Sequence, residues 1–308
     1  MVKNNLSLMD NRFANNYVVR NVVGSLRLML EDKATMVYFS YLVFVLFLGA
    51  FGPMLAPYPY DETLYVNGEI LRSAPPSLAH PLGTNNIGQD IFSRLLYGAR
   101  PTMITGLLGG SMIISIGMTV GVTAGYVGGR VDNTLMRITD VVYGVPLIPF
   151  AIVLVSLFGI GFVQSIVVIG LLLWRGNARV LRSQVLQIRE RPFILASKAA
   201  GASRTRIVFK HVLPNIAPMA VLFFSLGIGF SILIQATLAF LGVTSPFIPS
   251  WGVMVRSAYN SGLMSQAWWW SLPPGLMIAF TVLATFMFGR SYENIAGQGN
   301  EEAFVQAG

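Results

Sequence analysis

The densest group of residues that could bind a partner lies between Arg189 and Pro214. It combines basic side chains with a stretch of small ones, and its ten candidate residues are Arg189, Leu195, Ala196, Lys198, Ala199, Gly201, Arg204, Arg206, His211 and Pro214. Guanidinium groups form charge-assisted hydrogen bonds with carboxylates, and small side chains let another backbone approach closely. Pro192 favours the first turn of a short helix, and Gly201 favours its end. The pattern indicates a docking surface, or else a basic loop that only sets membrane topology.

The rest of the chain offers little that could catalyse a reaction. His80 and His211 fall on opposite sides of the membrane in the topology that the charges favour, so they cannot form a metal pair. The sequence lacks the G-x-x-x-x-G-K-[ST] pattern of a phosphate-binding loop. It also lacks cysteine, which excludes disulfides, thiolate metal sites and cysteine nucleophiles. We therefore expect no catalytic centre, metal or cofactor in this chain.

The composition is that of an integral membrane protein. Of the 308 residues, 54% are hydrophobic and 11% are charged, and the mean hydropathy is +0.63. A soluble domain carries roughly 25% charged residues, because it must coat its surface with polar groups. The composition therefore disfavours a soluble enzyme, a secreted disulfide scaffold and a disordered protein. The net charge of +8 matters here through the location of the charges rather than through their sum.

Long runs without charged residues define the candidate membrane spans. There are five such runs, Ala34–Tyr60, Pro101–Gly129, Val141–Trp174, Val212–Val255 and Ser257–Gly289. A span needs about 20 apolar residues, so the 34-residue third run, interrupted at Gly159-Ile160-Gly161, is too long for one span. It accommodates two if their ends extend into charged flanks, where arginine side chains can reach the interface.

The distribution of basic residues favours six transmembrane helices with both termini in the cytoplasm. With this topology the cytoplasmic segments hold 17 of the 21 lysines and arginines, nine of them within residues 174–214. Cytoplasmic loops carry such an excess. If the third and fourth spans were one, the nine basic residues of 174–214 would lie on the opposite side of the membrane from the five basic residues of the N-terminal segment. The sequence thus predicts an all-α membrane protein.

This topology divides the chain into consecutive segments. The predicted segments are a cytoplasmic N-terminal segment (1–37), a retained first anchor (38–55), an external Pro-rich loop (56–97), a five-helix core (98–290) and a cytoplasmic tail (291–308). The N-terminal segment does not fit a signal peptide, because the apolar run begins late and lacks a small-residue cleavage site. The density of proline predicts a turn-rich external loop without a core of its own.

Two further patterns lie in the predicted spans. Glycines repeat every four residues at Gly117, Gly121, Gly125 and Gly129, a spacing that lets membrane helices contact each other backbone to backbone. The contact is either static packing or a close contact that can move. The cluster Trp268–Trp270 precedes the sixth span, where aromatic residues commonly gather at the interface, and contact with an external protein is the alternative.

The basic segment resembles the EAA loop of ABC-importer permeases, with its E-A-A-x3-G pattern and later Leu-Pro. Six further motifs occur in the order typical of the peptide/nickel-type "C" permease subunits. They are Leu82–Asp90, Ser93–Arg100, Ala124–Asp132, Met136–Asp140, Leu238–Val243 and Pro249–Gly252. The resemblance extends from about residue 35 to 290 and therefore covers most of the chain.

The resemblance implies a type I importer permease in the cytoplasmic membrane of a prokaryote. It implies a second homologous permease, two cytoplasmic ATPase subunits that grip the coupling loop at about 189–214, and an external solute-binding protein. Solute would pass between the two permeases, with spans two and five facing the pathway. Peptides are the default solute, and nickel chelates and oligosaccharides remain alternatives.

The sequence departs from the family pattern in four places, three of which include charged positions. The family's glutamate of the EAA motif falls on Leu195, and its second alanine falls on Ser197. The family's Gly-Arg-Asp reads Gly88-Gln89-Asp90 here, and its closing Gly-Asp-Gly-Leu-Arg-Asp reads as residues 289–294. The loss of the glutamate removes one acidic contact to the ATPase or within the loop.

An ion-coupled secondary transporter or channel is the alternative from another functional class. Such proteins place ionisable residues near the middle of the membrane, whereas Arg137, Asp140 and Arg175 lie near span ends here. Inverted-repeat transporters also carry internal repeats, and none is evident. A purely structural scaffold would leave the small-residue segment unexplained.

Overall fold

The computed structural model describes residues 32–305 of the chain. Most of the predicted N-terminal segment and the last residues of the predicted tail lie outside this range. Most of the described part is helical, and its one sheet is a short two-stranded hairpin. Helix α1 spans Lys33–Leu55, and Asp32 caps it by accepting a 2.9 Å hydrogen bond from the backbone N–H of Thr35. The first anchor therefore begins before its predicted limit at residue 38.

The stretch after α1 contains a small hairpin. Strand β1 (Tyr65–Val66) pairs antiparallel with β2 (Glu69–Ile70). Asn67 and Gly68 connect them with φ angles of 53° and 85°, the left-handed geometry that two-residue hairpin turns require. Helix α2 then begins at Ile91, because the Asp90 carboxylate caps it through the Ser93 backbone N–H at 2.7 Å. Residues 91–97 are therefore helical, which corrects the predicted extent of the loop.

Helix α2 (Ile91–Val127) is followed by two shorter helices that meet at an angle. Gly128, with φ of 72°, separates α2 from α3 (Gly129–Gly144). Helix α4 (Leu147–Phe158) follows Pro146 and is bent by 92° relative to α3. Proline cannot donate to the helical hydrogen-bond ladder, which explains the position of the break.

Helix α5 (Phe162–Arg189) runs parallel to α2. It starts after the predicted glycine interruption at Gly159–Gly161. Gly109 of α2 lies beside Ile169, and Gly125 of α2 lies beside Val185, so residue numbers increase in the same direction along both helices. Parallel neighbours require that the chain between them returns along the bundle.

The last part of the chain forms two long helices joined by a short one. Helices α6 (Pro192–Ala199) and α7 (Arg204–Ile207) precede a π-helical turn at Val208–Val212, which leads into α8 (Leu213–Leu241). Helix α9 (Trp251–Asn260) lies between α8 and α10 (Trp268–Val305). Helix α10 continues past Arg290, so the predicted tail from residue 291 begins as helix.

Among the described residues, four helices are long and apolar enough to cross a membrane. They are α1, α2, the continuous helix Arg204–Leu241, and residues Trp268–Ile295 of α10. Counting the bent pair of α3 and α4 as one span raises the number to five. Helix α5 lies where the fourth of the six spans is predicted. It is not apolar throughout, because Arg175, Arg179 and Arg182 occupy its second half.

Candidate coupling surface

The predicted docking segment is anchored to one end of the helical bundle by its apolar residues. Ile194 of α6, Ile207 of α7 and Val212 are buried, with exposed fractions of 1% or less. They pack against apolar side chains of α2 and α5, namely Val122, Leu181, Val185 and Ile188. One face of α6 is therefore buried in the same apolar cluster as residues of α2 and α5.

The end of α6 is set by Gly201. Its φ angle is 81°, a left-handed conformation that other residues avoid. The Gly201 N–H donates to Lys198 O and the Ala202 N–H to Ser197 O, both at 3.0 Å. This pair of bonds is a Schellman motif, which closes a helix and reverses the chain.

The segment from Ser203 to Pro214 leads into the membrane helix through an irregular turn. The hydroxyl of Ser203 accepts a 3.3 Å hydrogen bond from the Arg206 backbone N–H and caps α7. The π turn ends at Val212, two residues before Pro214, which has no N–H to donate. The Asn215 side chain donates to the carbonyl oxygen of His211 at 2.7 Å. Single π turns of this kind are frequent at functional sites.

Seven of the ten predicted residues form an exposed surface at this end of the bundle. The exposed ones are Leu195, Ala196, Lys198, Ala199, Gly201, Arg204 and Arg206, whereas Arg189, His211 and Pro214 are half-buried. An added Cβ on Gly201 would meet nothing within 4 Å. The small residues therefore face outward, where a partner can approach them, and do not serve packing within the chain.

Three of the basic residues surround a cavity of about 450 Å³ beside this surface. Arg189, Lys198 and Arg204 line it together with Glu190. The Arg189 guanidinium donates to the Glu190 carboxylate at 3.0 Å and to the Gly125 carbonyl at 3.3 Å. Glu190 is thus engaged by its neighbour, and the cavity keeps an excess of positive charge that favours an acidic partner.

Three of the four predicted ladder glycines lie against α5. A Cβ placed on Gly117, Gly121 or Gly125 would come within 3.1, 2.6 and 2.8 Å of the carbonyl oxygens of Trp174, Ala178 and Arg182. Only glycine permits backbones to approach so closely. Gly129 lies beyond the end of α2, with φ of 58°, and a Cβ there would meet nothing within 4 Å.

A row of arginines on α5 holds α3 in place, an arrangement that the sequence analysis missed. Arg182 forms a two-point ion pair with Asp132, at 2.5 and 2.6 Å. Arg179 pairs with Asp140 and, like Arg175, lies over the ring of Tyr143. The spacing of Arg175, Arg179 and Arg182 places them on one helix face and could have indicated such a row. Their partners could not be identified from the sequence, because they lie 30 to 50 residues away along the chain.

The opposite end of the bundle brings together the external stretch and the region around α9. Trp269 donates from its indole N–H to Thr84 O at 3.4 Å, and Trp251 donates to Leu95 O at 2.9 Å. Trp270 is buried, whereas Trp268 is 52% exposed. Two of the three clustered tryptophans therefore contribute to packing within the chain.

The two histidines have separate surroundings. His80 lies 3.0 Å from the buried carboxylate of Asp90, and the His211 ring lies beside that of Phe193. In the part of the chain that the structure describes, no group of three metal-ligating side chains is present.

Comparison with known proteins identifies the family. Residues 117–294 match the family described as "Binding-protein-dependent transport system inner membrane component". This match includes α5, α6, α7 and the coupling surface, and it covers more than half of the chain. The chain belongs to this family.

Curated relatives resemble this permease over most of its length. It is 34% identical over 279 residues to the dipeptide transport system permease protein DppC of Bacillus subtilis (strain 168), covering 90% of this chain and 83% of the relative. It is 36% identical to the glutathione transport system permease protein GsiD of Pectobacterium atrosepticum, over 75% of this chain and 76% of the relative. The protein is a multi-pass membrane permease component of an ABC importer.

A solved structure has a similar fold. A chain of the MetNI methionine ABC transporter, in an inward-facing conformation, superimposes with a TM-score of 0.52 and 22% sequence identity. The similarity covers 66% of this permease and 96% of that chain. The permease therefore has the fold of an ABC-importer membrane subunit.

Proposed function

We propose that this permease forms half of the translocation pathway of a binding-protein-dependent peptide importer in the inner membrane of a prokaryote. The observation that carries the proposal is its similarity over most of its length to relatives named for dipeptide and oligopeptide transport, including OppC of Bacillus subtilis (31% identical over 89% of this chain). A second homologous permease completes the pathway, and an external binding protein delivers the peptide.

Two cytoplasmic ATPase subunits supply the energy, one of them through the coupling surface. The exposed face of α6 and the basic residues around it dock against an acidic cleft of that subunit. Closure of the ATPase pair then moves α6, and the buried contact of Ile194 transmits this movement to α2 and α5. Because the glycine contacts tie these two helices together, they move as one body.

The six-span topology with cytoplasmic termini is part of this proposal. It is supported by the parallel course of α2 and α5, since α3 and α4 must then return the chain to the outer side. It is also supported by the end of α5, where Arg189 contacts Gly125 near the end of α2. The chain between these points therefore crosses the membrane an even number of times.

Uptake in cells that lack their own peptide importers tests the proposal. The second permease, the ATPases and the binding protein are expressed with or without this chain, and uptake of labelled trialanine, a nickel chelate and an oligosaccharide is measured. We expect only trialanine uptake to require the chain. If trialanine uptake did not require the chain, and uptake of the nickel chelate or the oligosaccharide did, the choice of peptide as solute would be overturned.

A further inference from the structure

A second cavity lies at the end of the bundle opposite the coupling surface. Its volume is about 570 Å³, and its lining includes Asp61, Gln89, Arg94, Phe247, Arg256 and Asn260. It is formed where the external stretch meets α9 and the segment between α8 and α9. In the proposed topology this is the outer face of the permease, where solute first arrives. Binding sites for small ligands commonly have volumes of about 300 to 1,000 Å³.

One of the two arginines that line the cavity, Arg94, is hydrogen-bonded to other residues of the cavity wall. The Arg94 guanidinium donates to the Tyr60 carbonyl at 2.8 Å and to the side-chain oxygen of Gln89 at 2.5 Å. The Gln89 amide in turn donates to the Asp61 carbonyl at 3.3 Å. The Asp61 side chain also lies close enough to Arg94 for an electrostatic interaction. The guanidinium of Arg94 is therefore already bound by groups of the chain itself.

Arg256 differs from Arg94 in the surroundings of its guanidinium group. It forms no hydrogen bond or ion pair with any residue between 32 and 305. Its guanidinium packs against Gly242, where an added Cβ would lie 2.5 Å from the central guanidinium carbon. Gly242 ends α8 with φ of 86°, and the negative end of a helix dipole favours a cation there.

We infer that Arg256 binds a carboxylate of the incoming solute in this outer cavity. Resting on the proposed function, the ligand is the C-terminal carboxylate of a short peptide. A guanidinium group binds a carboxylate through two parallel hydrogen bonds, and the exposed ring of Phe247, 82% accessible, offers apolar surface at the same cavity. Because the contacts of Arg94 lie within the cavity wall, Arg256 is the lining cation that remains for a ligand.

A single-cysteine reporter tests this site directly, because the chain contains no cysteine. Asn260 is exposed and lines the cavity, so N260C is labelled from outside by an impermeant maleimide in the assembled transporter without binding protein. Trialanine should slow this labelling, and trialanine amide should not. R256Q should weaken protection by trialanine about tenfold, the effect of losing a charge-assisted hydrogen bond, and R256K should keep part of it.

The controls separate a local site from general effects. L78C, fully exposed and outside the cavity, should be labelled at the same rate with or without peptide. R72Q, which changes an exposed external arginine, should leave protection at N260C unchanged. Equal protection by trialanine and its amide, protection unaffected by R256Q, or no protection would each overturn the inference.

Uptake of trialanine by the same cells distinguishes this inference from the proposed function. Uptake without protection of N260C refutes the carboxylate site and leaves the peptide importer standing. Protection that depends on Arg256, without uptake, supports the site and refutes the peptide as transported solute. Absence of both refutes both.

Discussion

Two aspartates of α3 show how surroundings set the value of an ion pair. The Asp132 side chain is 11% exposed and that of its partner Arg182 is 33% exposed. The Asp140 side chain is 63% exposed and that of Arg179 is 43% exposed. An exposed pair contributes little because water screens both charges. Removing one partner of a buried pair leaves an uncompensated charge.

Replacing these aspartates with asparagine should therefore have unequal effects. We expect D132N to lower stability by about 2 kcal/mol, less than for a fully buried pair because Arg182 is partly exposed. D140N should lower it by about 0.5 kcal/mol or less. Thermal unfolding of the detergent-purified permease measures both. Equal shifts of the two midpoints would show that the pair of Asp132 does not hold α3.

The glycine ladder supplies a second prediction for individual residues. A Cβ on Gly121 would lie 2.6 Å from a backbone oxygen of α5, whereas one on Gly49 would lie 3.3 Å from the flexible side chain of Met103. A backbone atom moves only if a whole helix moves, so G121A should cost about 1 to 3 kcal/mol and reduce transport. G49A should cost less. Equal transport and stability at equal membrane abundance would contradict a close contact of α2 with α5.

At the scale of elements, the exposed face of α6 has the most direct consequence. G201F should place a bulky side chain at the docking surface and strain a left-handed backbone. ATPase subunits should then fail to co-purify, or should hydrolyse ATP without peptide uptake. G262F is the matched control, because Gly262 also has a positive φ of 70° and open space around it but lies between α9 and α10, away from the coupling surface.

The basic residues of the same surface provide an independent variant. R204A/R206A keeps the backbone of α6 and removes two exposed charges, so association with the ATPase should weaken without loss of the folded permease. Co-purification and uptake are measured for both this variant and G201F. Wild-type assembly and uptake in both would show that this segment does not couple the subunits.

The elements of this region were largely predictable, because local chemistry specifies them. Pro192 and Gly201 lie where α6 begins and where the chain reverses after it, and the Gly159–Gly161 interruption separates α4 from α5. The 92° bend before α4 and the start of α2 at Ile91 were not predicted. Arg94 and Arg100 interrupt the charge-free run but not the helix. A run without charges therefore begins at Pro101, ten residues after the start of α2 at Ile91.

The candidate sites were predictable only where they are local in sequence. Seven of the ten residues predicted to dock a partner are exposed, and they lie on or between the adjacent helices α6 and α7. The outer cavity was not predicted, since Asp61, Arg94 and Arg256 come from distant segments. Hydropathy and spacing carry no information on which distant polar groups share a cavity, and the same holds for the pairing of Asp132 with Arg182.

At the scale of the whole molecule, α2 connects the two surfaces proposed to have a function. Its 37 residues span about 55 Å at 1.5 Å per residue. Near its start, Arg94 forms part of the outer cavity, and near its end, Val122 belongs to the same buried apolar cluster as Ile194 of α6. A movement of the coupling surface can thus reach the outer cavity through one continuous helix.

The number of crossings by α3, α4 and α5 decides the topology. Parallel packing of α2 and α5 places Phe162 toward the outer end of α2, since Gly109 lies beside Ile169. The 28 residues of α5 measure about 42 Å, enough to cross a hydrocarbon core of about 30 Å. Six spans therefore put Ile160, which is 59% exposed, on the outer side. If α3 and α4 did not cross, Ile160 would lie inside.

Single-cysteine variants of this cysteine-free chain distinguish these arrangements. We expect an impermeant maleimide added outside intact cells to label I160C and L78C, because both residues are exposed and lie outside in the six-span arrangement. A200C, at the exposed end of α6, should react only after the membrane is opened, because a basic excess like that of residues 174–214 is typical of cytoplasmic segments. Labelling of A200C in intact cells would invert the topology. If I160C reacted only in opened cells and not in intact ones, the permease would have four spans instead of six.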